Sequence, residues 1–127
     1  IPVIANGDIT SYDKAKQSLQ ESGADGIMVG RGAYGKPWLL SQISHYIKTG
    51  EEIPTPPIKE QLSIILEHYN SMLEYYGKET AVQLARKHIS WYSNGLPNSA
   101  EFRGKINLLT DSNMVKETIL EFYSQLI

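Results

Sequence analysis

The chain has 127 residues, 41% hydrophobic and 20% charged, with a formal net charge of −2 and no cysteine. A chain of this length buries roughly two-thirds of the surface its unfolded form exposes, so a core is affordable, and no apolar run approaches the ~20 residues of a membrane span, which speaks against insertion. The missing cysteines exclude disulfides, thiolate metal sites and a cysteine nucleophile among these residues, and they suit a reducing cytoplasm.

Ile1-Pro2-Val3-Ile4-Ala5 reads as a buried strand, with no initiator Met and no basic and apolar signal regions ahead of it, so the chain is expected to begin inside a fold. Asn6-Gly7-Asp8 ends that run. Thr10-x-x-Asp13 then offers a capping-box-like start for a helix to about Glu21, stopped by Ser22-Gly23. Gly26 to Val29 reads as a second short strand, because apolar runs bounded by glycines and alternating with helices are the mark of buried parallel strands. The next helix is predicted from Lys36 or Pro37 to about Lys48. Thr49 to Pro57, with Gly50 and three prolines, is the clearest linker, and the domain boundary placed there gives residues 1–50 and 51–127.

Beyond the linker the pattern is helical. Leu62, Ile65, Leu66, Tyr69, Met72, Leu73 and Tyr76 follow the i, i+3, i+4, i+7 rule, and Gly77 ends the stripe as a C-cap does. A helix from about Glu79 to Tyr92 stops at Asn94-Gly95-Leu96-Pro97. Asn98-x-x-Glu101 caps another to about Leu109, and Asp111 or Ser112 starts the last. Antiparallel helices joined by such short turns make a small four-helix bundle.

Two constellations can carry chemistry. Asn6-Gly7-Asp8 and Gly30-Arg31-Gly32 each follow a strand, and parallel α/β folds place ligands at the C-terminal ends of their strands. Glycines let backbone amides approach an anion and Arg31 supplies a guanidinium, although glycines in tight turns would leave the same trace. The second is Arg86-Lys87-His88-Ile89-Ser90-Trp91-Tyr92, followed by Arg103 and Lys105. Helical spacing sets Lys87 beside Trp91 and His88 beside Tyr92, a mixture suited to phosphate contact and base stacking. Equally, Ile89, Trp91 and Tyr92 would fill a bundle core beneath solvated cations. Between Lys78 and Lys105 five cations face two anions, a local excess that suits a polyanion. No metal site is expected: His45, His68 and His88 are far apart and no HExxH spacing occurs. Asp8 and Asp25 would pair as acid and base only if the fold joined them.

Taken together, IPVIANGDI, GADGIMVGRGAYGKPWL and RKHISWYSNGLPNSAEFRGKIN resemble the C-terminal part of the bacterial tRNA-dihydrouridine synthases, most closely the B-type subgroup. The resemblance covers the whole chain. It implies an α/β plus α architecture: the last two βα units of a TIM-type (β/α)₈ barrel in residues 1–50, then a small four-helix bundle that binds tRNA in 51–127. It also implies an FMN enzyme that takes hydride from NADPH and delivers it to the C5–C6 double bond of a uracil in tRNA, with a cysteine as general acid. Asn6, Gly7, Asp8, Gly30 and Arg31 would hold the FMN ribityl phosphate region. Arg86, Lys87, His88 and Arg103 would lie on the RNA-facing side. The barrel units that precede these in the family, with the catalytic cysteine, are not among these residues, so no catalytic residue is assigned. The chain alone is expected to be an inactive fragment that self-associates through an exposed half-barrel. The competing readings are a non-catalytic RNA-binding module and part of another phosphate-binding flavin barrel enzyme. A cytoplasmic location is expected.

Overall fold

Short apolar runs joined by an amphipathic helix return in the same direction, and the computed structural model, which describes all of residues 1–127, has such a crossover at its start. β1 (Ile4–Asn6) and β2 (Gly26–Met28) pair in parallel, Ile4 with Gly26, Ala5 with Ile27 and Asn6 with Met28. Asp25 fastens the start of the pair. Its amide donates to the Val3 carbonyl at 2.8 Å, and its carboxylate accepts from the Val3 amide at 2.8 Å.

Between the strands runs α1 (Tyr12–Ser22). Its N-cap is Ser11, one residue later than the Thr10 box, because the extended backbone at Ser11 brings its hydroxyl within 3.2 Å of the Lys14 amide. After β2 comes a single 3₁₀ turn, Arg31–Ala33. Successive i→i+3 bonds, Ala33 to Gly30, Lys36 to Ala33 and Leu39 to Lys36, keep the chain in turns, so α2 (Leu39–Thr49) begins later than Lys36 or Pro37.

Ile9, Ala15, Leu39 and Ile43 form the buried centre of this first unit, with Tyr12, Ile27 and Val29 packed against it. Val3, Ile4 and Met28 are more than half exposed. Parallel strands bury both faces only where layers cover both, and here the helices cover one. Each strand also keeps an unpaired outer edge.

The chain divides into two compact units, Ile1–Thr55 and Pro56–Ile127. The second is helical: α3 (Ile58–Tyr76), α4 (Lys78–Ser93), α5 (Ser99–Leu108) and α6 (Ser112–Ser124). Gly77 alone joins the first pair. Its φ of 81° lets its amide close α3 on Leu73 while its carbonyl opens α4 by accepting from Ala81. α3 packs on α4 and α6, and α5 packs on the same two helices. Ile65, Tyr69, Ile89, Phe102, Ile106, Val115, Ile119 and Tyr123 fill the middle, each side chain worth about 1.5–3 kcal/mol when fully withdrawn from water. Asp111 caps α6, accepting from Asn113 and Met114. Asn98 makes no side-chain cap for α5: it sits in the left-handed region at φ 61°, so Asn98-x-x-Glu101 is not a capping box. No helix is long and apolar enough to cross a membrane.

Candidate functional site

The loops that follow β1 and β2 are brought together by one ion pair. Arg31 Nη2 lies 2.8 Å from Asp8 Oδ1, with both side chains mostly exposed. The parallel pairing causes this, since it puts the C-terminal ends of both strands on the same side of the sheet. Asn6 ends β1 opposite Met28, and Gly7 and Asp8 continue from it. Asp8 has φ 38°, a conformation its short polar side chain tolerates. Of the five residues expected at a phosphate, Asp8 and Arg31 are joined directly, and Asn6, Gly7 and Gly30 flank them in the same two loops.

Two further residues belong with these five: Gly32, which the sequence shows in the second cluster without a role of its own, and Lys14. At Gly32 any Cβ would collide with the Ile9 carbonyl oxygen, so only glycine lets the second loop rest on the first. The repeated glycine of Gly30-Arg31-Gly32 was the available signal. Lys14, in the first turn of α1, lines the same shallow hollow as Gly7 and Asp8, and nothing in its local pattern marks it.

These residues fit a phosphate group. The Asp8 contact uses one nitrogen of the guanidinium, and an exposed ion pair is worth only about 0–1 kcal/mol, so Arg31 can turn toward a dianion at little cost. A Cβ built at Gly7 or Gly30 would meet nothing within 4 Å, which leaves the approach to both loops open. Asp25 does not join Asp8: its carboxylate is spent on the Val3 amide at the opposite end of the strands.

In the second unit the basic and aromatic residues of α4 divide between inside and outside. Ile89 and Tyr92 are buried, whereas Trp91 is 38% exposed and Lys87 is exposed. Arg86 is half-buried. Its Nη2 donates to the Leu109 carbonyl at 3.1 Å and its Nε is buried without a partner, a geometry that ties α4 to the end of α5. Arg103 donates to Ser99 Oγ within α5 at 3.2 Å. His88 meets His68 of α3, ring centroids 4.9 Å apart, and His68 Nδ1 shares a 2.8 Å hydrogen bond with the Tyr92 hydroxyl. Burial lowers the pKa of both imidazoles, and the charges of His68 and Lys87 lower that of His88 further. The sequence gives His68 no role beyond that of a surface or core histidine. No group of three or more His, Asp or Glu side chains is placed to hold a metal ion.

The dihydrouridine synthase (Dus) family model matches residues 1–127. A protein named probable tRNA-dihydrouridine synthase from Rickettsia conorii is 67% identical over 127 residues, which is 100% of this chain and 38% of that protein. Its namesake from Rickettsia bellii is 64% identical over 127 residues, 100% of this chain and 39% of the relative. The tRNA-dihydrouridine synthase B of Pseudomonas aeruginosa is 42% identical over 125 residues, 98% of this chain and 38% of that protein. The chain thus spans well under half the length of these curated relatives.

Proposed function

The chain belongs to the dihydrouridine synthase family, and from that we propose that it is the C-terminal portion of an FMN- and NADPH-dependent oxidoreductase that reduces uridine to dihydrouridine in tRNA. The first unit would be the end of a (β/α)₈ barrel and the second a tRNA-binding bundle. The observation that carries this reading is the Arg31–Asp8 pair, which joins the loops at the C-terminal ends of two parallel strands, where such barrels hold phosphates.

Arg31 would take the ribityl phosphate, with Asp8 steering its guanidinium, while Gly7 and Gly30 let the backbone come close and Asn6 borders the loop. FMN held there would bring hydride chemistry to the site, with NADPH as the reductant and the C5–C6 bond of the uracil as the acceptor. Lys87, His88 and Arg103 would meet the RNA, and the target base would leave its stack to reach the flavin. Arg86 supports them by holding α4 on α5. No residue of this chain is assigned proton transfer, so the chain alone would not turn over. Self-association would use the exposed strand face of Val3, Ile4 and Met28.

That same face favours a second reading. A sheet of two strands covered on one side offers no enclosed flavin site, so the isolated chain would act as an RNA-binding module without redox chemistry. Titrating FMN with the chain and with its Arg31→Ala variant, followed by flavin fluorescence, separates the two. Saturable quenching lost in the variant supports the flavin site. Absent quenching, with salt-sensitive tRNA binding, supports the module.

A further inference from the structure

One face of α4 carries Leu84, Lys87, His88 and Trp91 at spacings i, i+3, i+4 and i+7. Leu84 is 40% exposed and Trp91 38%, while Ala81, Val82, Ala85, Ile89 and Tyr92 are buried on other sides of the same helix. The indole is thus partly open to solvent on the same helix face as Lys87, one turn away. The rings behind it form a chain. The Tyr92 hydroxyl holds His68 Nδ1 at 2.8 Å, His68 meets His88 edge-on at 4.9 Å, and His88 meets Trp91 edge-on at 5.2 Å and 86°. Imidazole and indole rings otherwise turn over broad ranges of χ2, so this sequence of contacts holds the indole in a set orientation.

We propose that Trp91, held by His88 and His68, is a stacking platform for an unpaired base of RNA, with Lys87 meeting the adjoining phosphate and His68 acting as a positioning residue. The proposal rests on the reading of the second unit as RNA-binding and specifies the form of RNA it takes. Every base has a π-face for an aromatic ring to use, but a duplex hides its bases in the stack and offers side chains little beyond phosphates and 2′-hydroxyls. The local charge is complementary, with five cations against two anions between Lys78 and Lys105.

The test uses the whole chain carrying Trp38→Phe, which leaves Trp91 as the single tryptophan of the two. A short single-stranded oligouridylate and a blunt-ended RNA duplex of equal phosphate number are titrated, with indole quenching and the anisotropy of labelled RNA read together. The expected result is saturable quenching by the oligouridylate and little by the duplex. In the otherwise unchanged chain, Trp91→Leu should weaken oligouridylate binding about tenfold and leave duplex binding unchanged. His68→Ala should act in the same direction, and His68→Asn, which keeps a polar atom near the Nδ1 position for Tyr92, should restore much of the loss. RNA binding without quenching, or equal weakening of both RNAs by Trp91→Leu, overturns the platform and leaves the RNA-binding reading standing. Anisotropy that shows neither RNA bound overturns that reading and the platform with it.

Discussion

The Tyr12 hydroxyl is bonded twice to Ile53, donating to its carbonyl at 2.8 Å and accepting from its amide at 3.1 Å. Gln42, buried in α2, adds bonds from Nε2 to the Ile53 and Pro54 carbonyls, both at 3.2 Å. These contacts tie the start of the proline-rich stretch to the first unit. Tyr12→Phe removes both hydroxyl bonds, each worth about 1 kcal/mol net, and should speed hydrogen exchange at the Ile53 amide by about tenfold. Exchange at Ile65 in the second unit should not change. An unaltered Ile53 rate would show that Gln42 alone holds the segment.

The same bonds explain why the units part at Thr55 and Pro56, five residues beyond the expected boundary at 50 and 51. Gly50 and the prolines mark where regular structure stops. What fastens residues 53 and 54 comes from Tyr12, 41 positions away, and no local pattern carries that. α3 was legible for the opposite reason: its apolar stripe and the Gly77 stop are local, and the helix ends at Tyr76. In α4, spacing set the cations and rings on shared faces but left open which face is solvated. The structure puts Tyr92 inside, Trp91 at the surface and Arg86 across to Leu109. The two glycine loops were legible as a pair because both follow strands. Their joining by Asp8 and Arg31 depends on the parallel register, which three-residue strands do not specify by themselves.

Gly32 tests how closely the loops rest on each other. Gly32→Ala sets a methyl against the Ile9 carbonyl, a backbone atom that cannot step aside, and Ile9 is buried in the core of the first unit. The expected cost is about 1–3 kcal/mol, as for other overpacked sites, read as a lower denaturation midpoint for this unit. A midpoint unchanged in Gly32→Ala would show that the loops separate freely.

Two buried tyrosines should answer the same substitution in opposite ways. The Tyr69 hydroxyl donates to the Ser112 carbonyl at 2.9 Å, and its pKa is pushed up to about 12 by burial and then by Asp111. Tyr69→Phe removes that bond and should cost about 1–2 kcal/mol in a urea melt of the second unit. The Tyr123 hydroxyl is buried without a partner, and burial, with Tyr92 beside it, raises its pKa. Tyr123→Phe therefore discards an unsatisfied polar group while keeping the ring, and should leave stability unchanged or slightly raise it. A loss at Tyr123 as large as that at Tyr69 would mean that its hydroxyl has a partner in solution.

Acid should loosen the second unit through His68 and His88. Both have pKa values lowered from the ordinary 6.5, His68 by burial and His88 by burial first and then by the charges of His68 and Lys87. Each imidazole therefore takes up its proton less readily in the folded chain than in the unfolded one. As pH falls through 6.5, the unfolded state binds more protons and stability drops, until the pH passes below the folded values and the loss levels off. Above about pH 7.5 both states are neutral at these positions and the contribution is flat. The urea midpoint of the second unit should thus decline on going from about pH 7.5 to 5.5, before the carboxylates near pH 4 begin to protonate. His88→Gln should flatten that decline by removing one titrating group and the repulsion between the two rings. A midpoint constant to pH 5.5 in the unmodified chain would place both imidazoles in water, detached from the ring chain that joins α3 to Trp91.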